Sequence, residues 1–99
     1  MATLYISEYA TSGWTTASGL PCGQEPAIAV QAVPIPGTSA AFNANTRFVR
    51  MHSDSVCSFA FAASGGTPAP TTSTARMNAN QTEYFGVSAN MKVGVVVNT

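Results

Sequence analysis

The sequence predicts an all-β protein, a small single-domain antiparallel β-sandwich over residues 1–99, with the jelly roll as one form such a sandwich takes. Three observations carry that reading. No window of helical length carries apolar residues at the three-and-four spacing without a Gly, a Pro or a Ser/Thr/Asn cluster interrupting it. Short stretches alternate between apolar and polar side chains, the period of a strand. Turn chemistry separates these stretches throughout the chain.

The first strand is Thr3 to Tyr9, where Leu4 and Ile6 alternate with Tyr5, Ser7 and Tyr9, so both faces have something to bury. This apolar start predicts an ordered amino-terminal segment. Residues 9–23 read as a loop containing Trp14. Ala27 to Val33 is a second strand, with Ile28 and Val30 on one face and Ala29, Gln31 and Val33 on the other. Pro34 and Pro36 cannot donate to a ladder and end it. Thr38 to Phe42 is a short third strand, and Asn43-Ala44-Asn45 supplies turn chemistry for a hairpin, since Asn tolerates left-handed backbone.

The fourth strand, Arg47 to His52, places Val49 and Met51 on one side and Phe48, Arg50 and His52 on the other, with Ser53-Asp54-Ser55 as the turn. In the fifth, Val56 to Ala62, a core-facing row of Cys57, Phe59 and Phe61 backs onto a flat small-residue face of Ser58 and Ala60. Residues 64–74 hold no charge and little to bury, which predicts a long mobile loop with Gly65-Gly66 as its hinge. Ala75 to Asn78 is a brief strand, Asn78 to Gln81 a turn and Glu83 to Val87 a further strand. The last, Met91 to Asn98, aligns Met91, Val93, Val95 and Val97 and is β-branched enough to be central in a sheet.

Composition narrows the function. A chain of 99 residues buries only about 60–65% of its unfolded surface, so its core is thin. Charged residues make up 8% of it, against about 25% in ordinary domains. A surface this neutral is a solubility hazard for a free monomer and suits a protein covered by copies of itself or by a partner. Four Lys+Arg balance four Asp+Glu, so nothing in the net charge draws the chain to nucleic acid or an anionic membrane. The start of the chain lacks a signal-peptide pattern, and the apolar run Val93 to Val97 is far short of the roughly 20 residues that cross a bilayer. Cys22 and Cys57 read as small buried hydrophobes, with a disulfide left open.

Catalytic signatures are missing from the pattern, and the expectation is a non-enzymatic protein without a cofactor or a metal. His52 is the lone histidine and reads as a polar residue at a strand end; it cannot build the multi-histidine site of a cupin-like enzyme. A zinc site would need Cys22, Cys57 and His52 to converge, and none of them shows short ligand spacing. No nucleophile elbow accompanies the abundant Ser and Thr, and Gly65-Gly66 lacks the Lys and helix of a phosphate cradle. Glu8, Glu25, Asp54 and Glu83 are scattered and read as surface or turn residues. The arginines are more informative, because each charge in so neutral a chain needs a solvated or paired place. Arg50 has Asp54 and Glu83 as cross-strand candidates, and Arg is also favoured at partner contacts.

The stretch Thr46 to Asp54, the Cys57 to Phe61 strand, the Ser/Thr/Pro loop, Ala75-Arg76-Met77-Asn78-Ala79 and Glu83 to Val87 together resemble the head decoration, or cement, proteins of tailed bacteriophages. The resemblance covers the chain from residue 46 on. It implies a structural virion protein, assembled in the host cytoplasm, that sits on the capsid surface in many copies and clamps contacts between major capsid protein subunits. It also implies a homo-oligomer, a dimer or trimer, for which the flat Ser58/Ala60 face or an exposed edge of the last strand could serve as contact. Chemistry alone nominates Arg47, Arg50, His52, Asp54 and Arg76 as partner-binding residues. The alternative is a tail or head fibre module binding a host receptor or glycan, with Trp14, Tyr5, Tyr9 and Tyr84 as its stacking surface.

Overall fold

The computed structural model describes residues 2–10 and 25–98, and eight strands account for its regular structure. They are β1 (Thr3–Tyr9), β2 (Ala29–Pro34), β3 (Gly37–Thr38), β4 (Phe48–Ser53), β5 (Cys57–Ala62), β6 (Ala75–Met77), β7 (Gln81–Gly86) and β8 (Lys92–Val97). Two antiparallel four-stranded sheets pack together, one in the order β2-β1-β4-β7 and the other β3-β8-β5-β6. The all-β sandwich read from the sequence is therefore the fold.

Alternation decides what each strand buries. Leu4, Ile6, Val33, Val49 and Met51 from the first sheet meet Cys57, Phe59, Met77, Val93 and Val95 from the second, and Ile35 and Phe42 from connecting segments complete the core. Phe59, Phe61 and Phe85 form an aromatic cluster with ring centroids 5.3–6.0 Å apart, Phe59 meeting both of the others edge-on. Phe61 also meets Phe42 edge-on, at 6.5 Å. The amino-terminal strand is interior to its sheet, paired with β2 on one side and β4 on the other, in keeping with its apolar sequence.

Several details depart from the sequence reading. The third strand is reduced to Gly37–Thr38: Ser39 N–H still bonds Val93 O, but Ala40 is held by the Gln31 side chain of β2 and the next bond, Phe42 N–H to Met91 O, comes one residue late, so the regular ladder with β8 ends. Asn43 to Asn45 is a side-chain-capped turn, the Asn45 N–H bonding Asn43 Oδ1 at 2.9 Å, and it links strands of different sheets instead of closing a hairpin. Left-handed backbone falls on Asn80 and Asn90. Glu8 is no surface residue: it is 1% exposed, and its carboxyl group accepts from Asn43 N–H (2.8 Å), Thr46 Oγ1 (2.8 Å) and Gln31 Nε2 (3.0 Å). These bonds tie β2 and the segment before β4 to β1.

The Ser/Thr/Pro segment after β5 is not free of the body. Gly66 N–H bonds Ala63 O in a tight turn with Gly65 at φ +80°, so the glycines close a turn and do not form a hinge. The chain then lies back across the second sheet. Pro68 is buried against Gly94, and Asn98 Nδ2 donates to Ser58 Oγ (2.7 Å) and to Thr72 O (3.4 Å). Ser58 is completely buried as a result, so the small-residue face is not a free contact surface. Nor does β8 offer an open edge over its middle, since β3 and β5 flank it.

Candidate interaction surface

The outward face of the first sheet is built by the register of its strands. Side chains alternate across a strand, so the residues between the core positions share the opposite face. Three rows result. Ala32, Tyr5, His52 and Thr82 face one another across β2, β1, β4 and β7. Val30, Ser7, Arg50 and Tyr84 form the next row, and Tyr9, Phe48 and Gly86 the third, with Ile28 just before β2.

Large apolar side chains are left uncovered here. Tyr5 (47%), Val30 (72%) and Tyr84 (36%) are exposed on this face, Ile28 (42%) is exposed in the bend that leads into β2, and Val97 is the remaining exposed large hydrophobe of the described residues. A ribbon of rings crosses one end: Tyr9 stacks on Phe48 at 5.3 Å, and Phe48 meets Tyr84 at 6.3 Å. Tyr9 itself is 4% exposed, and its hydroxyl donates to Glu25 Oε2 at 2.8 Å. Burial and the neighbouring Glu25 push the Tyr9 phenol above its ordinary range. The second sheet differs, because the chain's own 63–74 segment lies over the middle of its outer face at Gly94 and Ser58.

Arg50 and His52 are the basic side chains of the strands on this face. Arg50 sits between Ser7 and Tyr84 and has no hydrogen-bond or ion-pair partner among the described residues. His52 Nδ1 lies 2.7 Å from Thr82 Oγ1. Glu83 faces the other way, opposite Met51, so the cross-strand pairing of Arg50 with Glu83 does not form. Asp54 Oδ1 instead accepts from Thr3 N–H at 2.8 Å and from Ser55 Oγ at 3.3 Å, where it secures the start of β1.

The five residues singled out from sequence therefore fall in separate places. Arg50 and His52 share the outward face. Arg47 lies just before β4, its Nη1 reaching the carbonyls of Ala44 (3.4 Å) and Thr46 (3.3 Å), and Asp54 lies past the other end of the same strand. Arg76 belongs to the second sheet, opposite Ser58, with Nη1 bonded to Asn78 Oδ1 at 3.0 Å. Among the stacking candidates Tyr5, Tyr9 and Tyr84 do share one face, while Trp14 lies outside the described residues. The sequence alone does not single out Val30, Ile28 and Phe48 as site residues. The available signal is alternation, which puts Val30 and Phe48 on the sides of β2 and β4 opposite the core residues Val33, Val49 and Met51.

Among the described residues there is no pocket and no group of three or more His, Cys, Asp and Glu side chains placed to hold a metal ion. What the arrangement offers chemically is an aromatic and apolar surface with one guanidinium, unpaired among the described residues, in its middle row. Comparison of the chain with protein-family models, with curated proteins and with solved structures returned no match.

Proposed function

We propose that the protein is a structural virion component that seats the outward face of its first sheet on a protein lattice, as a decoration protein on the outside of a tailed-phage capsid. The observation that carries the reading is the clustering of Tyr5, Val30 and Tyr84, exposed on one sheet face, in a chain with only 8% charged residues. Exposed apolar patches of this kind mark interaction sites, and aromatic residues with an Arg at the centre are the usual energetic anchors of protein contacts. The resemblance of residues 46–87 to head decoration proteins supplies the partner, the major capsid protein, and the virion as location.

The alternation of the chain between sheets supports a jelly-roll version of the sandwich. It changes sheet between β2 and β3, β3 and β4, β4 and β5, β6 and β7, and again β7 and β8. Jelly rolls are frequent among capsid and lectin domains.

A second reading is favoured by one feature, the alignment of Tyr5, Tyr9, Phe48 and Tyr84 on a single face: a fibre module that stacks host glycans on these rings. Binding of the purified protein to capsids lacking it, compared with binding to a glycan array, separates the two. The capsid reading expects saturable capsid binding that Val30→Asp abolishes without unfolding the protein. Unchanged capsid binding by Val30→Asp and Tyr5→Asp would reject the proposed face, and glycan binding without capsid binding would install the second reading.

A further inference from the structure

Four strands end the two sheets, and three of these edges are blunted. β3 has two residues and follows Pro36, and β6 has three. β2 ends in Pro34, and its Gln31 side chain bonds both backbone groups of Ala40, which covers the strand's outer side. β7 is different: six residues, Gln81–Gly86, paired on one side only among the described residues, with no Pro and no Lys. Short length, Pro and covering segments are among the devices by which sheets avoid pairing with another chain, and among the described residues β7 shows none of these three, its one guard being the inward-pointing Glu83.

The ladder shows which groups on β7 are free. Antiparallel strands direct the N–H and C=O of alternate residues to opposite sides. Val87 N–H bonds Arg47 O at 2.9 Å, which assigns 83, 85 and 87 to the β4 side. Asp54 N–H bonds Thr3 O at 3.2 Å, which independently assigns the even-numbered residues of β4 to β1 and the odd-numbered ones to β7. The backbone groups of Thr82, Tyr84 and Gly86 therefore point away from the sheet.

We propose that β7 pairs with β7 of a second copy in an antiparallel register centred on Tyr84. This spacing is self-complementary about a two-fold axis. Tyr84 faces Tyr84 of the second copy, Thr82 faces Gly86, and each facing pair exchanges two backbone hydrogen bonds. The two first sheets merge into one continuous sheet, and the aromatic faces of both copies become one surface. No like charges are brought together. Glu83, the single charged residue of the strand, points to the inner side and accepts from Gln81 Nε2 at 2.8 Å, and in this register it faces Phe85 of the other copy. Arg50 lies one strand back. This pairing stands apart from the capsid reading and can fail while that reading survives.

The test is the association state of the full chain by sedimentation, with amide hydrogen exchange read at high and low concentration. The expected result is a dimer in which the Thr82, Tyr84 and Gly86 amides are protected at high concentration and become exposed on dilution. Tyr84→Pro removes an outward N–H without touching the β4 ladder. The loss of the two central bonds raises the dimer dissociation constant roughly thirtyfold. A protein that stays monomeric at millimolar concentration overturns the proposal, as does an oligomer in which those three amides exchange freely. Should Tyr84→Pro fail to fold, the exchange measurement on the native chain decides by itself.

Discussion

A Cβ built on Gly94 would stand 2.8 Å from Pro68 Cβ and 3.0 Å from Pro70 Cδ. The close approach explains how an uncharged segment without strand or helix holds its position: two rigid rings sit directly on the backbone of β8, at the one residue of the strand that has no side chain. The flanking Asn98 bonds to Ser58 and Thr72 fasten the same segment at its far end. Gly94→Ala is expected to lift the segment and cost about 1–3 kcal/mol of stability, the usual range for forcing an extra carbon into a packed contact. Denaturant unfolding measures it, and a variant as stable as the native chain would mean that the prolines do not pack against β8 in solution.

Glu8 carries a different kind of stability. Its carboxyl oxygens satisfy a backbone N–H and two side-chain donors inside the protein, so truncation leaves Asn43 N–H and the Thr46 hydroxyl without an acceptor and Gln31 Nε2 with Ala40 O alone. Glu8→Ala is expected to cost about 2–4 kcal/mol and to loosen residues 39–46 first. Thr46→Val removes one donor along with its need for an acceptor and should cost less. Equal stability of Glu8→Ala and the native chain in a denaturant titration would refute the arrangement.

Alternation made much of this legible in the sequence. The spacing of Leu4 and Ile6, of Val49 and Met51, and of Val93 and Val95 places each pair on a buried side, and the structure buries all six. The same parity puts Glu8 on the inner side with Leu4 and Ile6, a signal outweighed by the habit of reading an isolated carboxylate as a surface group. The 63–74 segment has no periodicity to read, and its docking depends on Gly94 being brought beneath it by a sheet partner distant in sequence. The candidate surface was half visible: β1 has apolar groups on both faces, but Tyr5, His52 and Thr82 become neighbours only through the order β1-β4-β7, which no local pattern encodes.

The Tyr9 phenol links the surface to pH. Its folded value lies above the ordinary 10.0, first through burial and then through the hydrogen bond to Glu25 and the charge of that carboxylate. A group whose folded value is raised contributes stability that is fully present below its unfolded value and is lost as pH rises through the folded one. Stability is therefore expected to decline as pH rises above about 10. In Tyr9→Phe that part of the decline should disappear, although the variant starts less stable for want of the Glu25 bond. Parallel curves for the two proteins across the alkaline range would rule Tyr9 out as the source.

Cys57 supplies a prediction with a chemical readout. Its thiol is free and completely buried at the start of β5, 3.5 Å from Ser53 Oγ. Burial raises its titration above the ordinary 9.0, the charge of Asp54 adds to that, and the bond to Ser53 opposes it. The reactive species is the thiolate, so the folded site is both shielded and short of nucleophile. Iodoacetamide at about pH 8 should leave Cys57 unmodified in the native protein and label it fully in guanidinium. Peptide mass analysis reads Cys57 separately from Cys22. A native labelling rate equal to the denatured one would show that the Cys57 end of the sandwich opens readily, whereas a slow rate set by unfolding would make this thiol a direct reporter of how often the two sheets part.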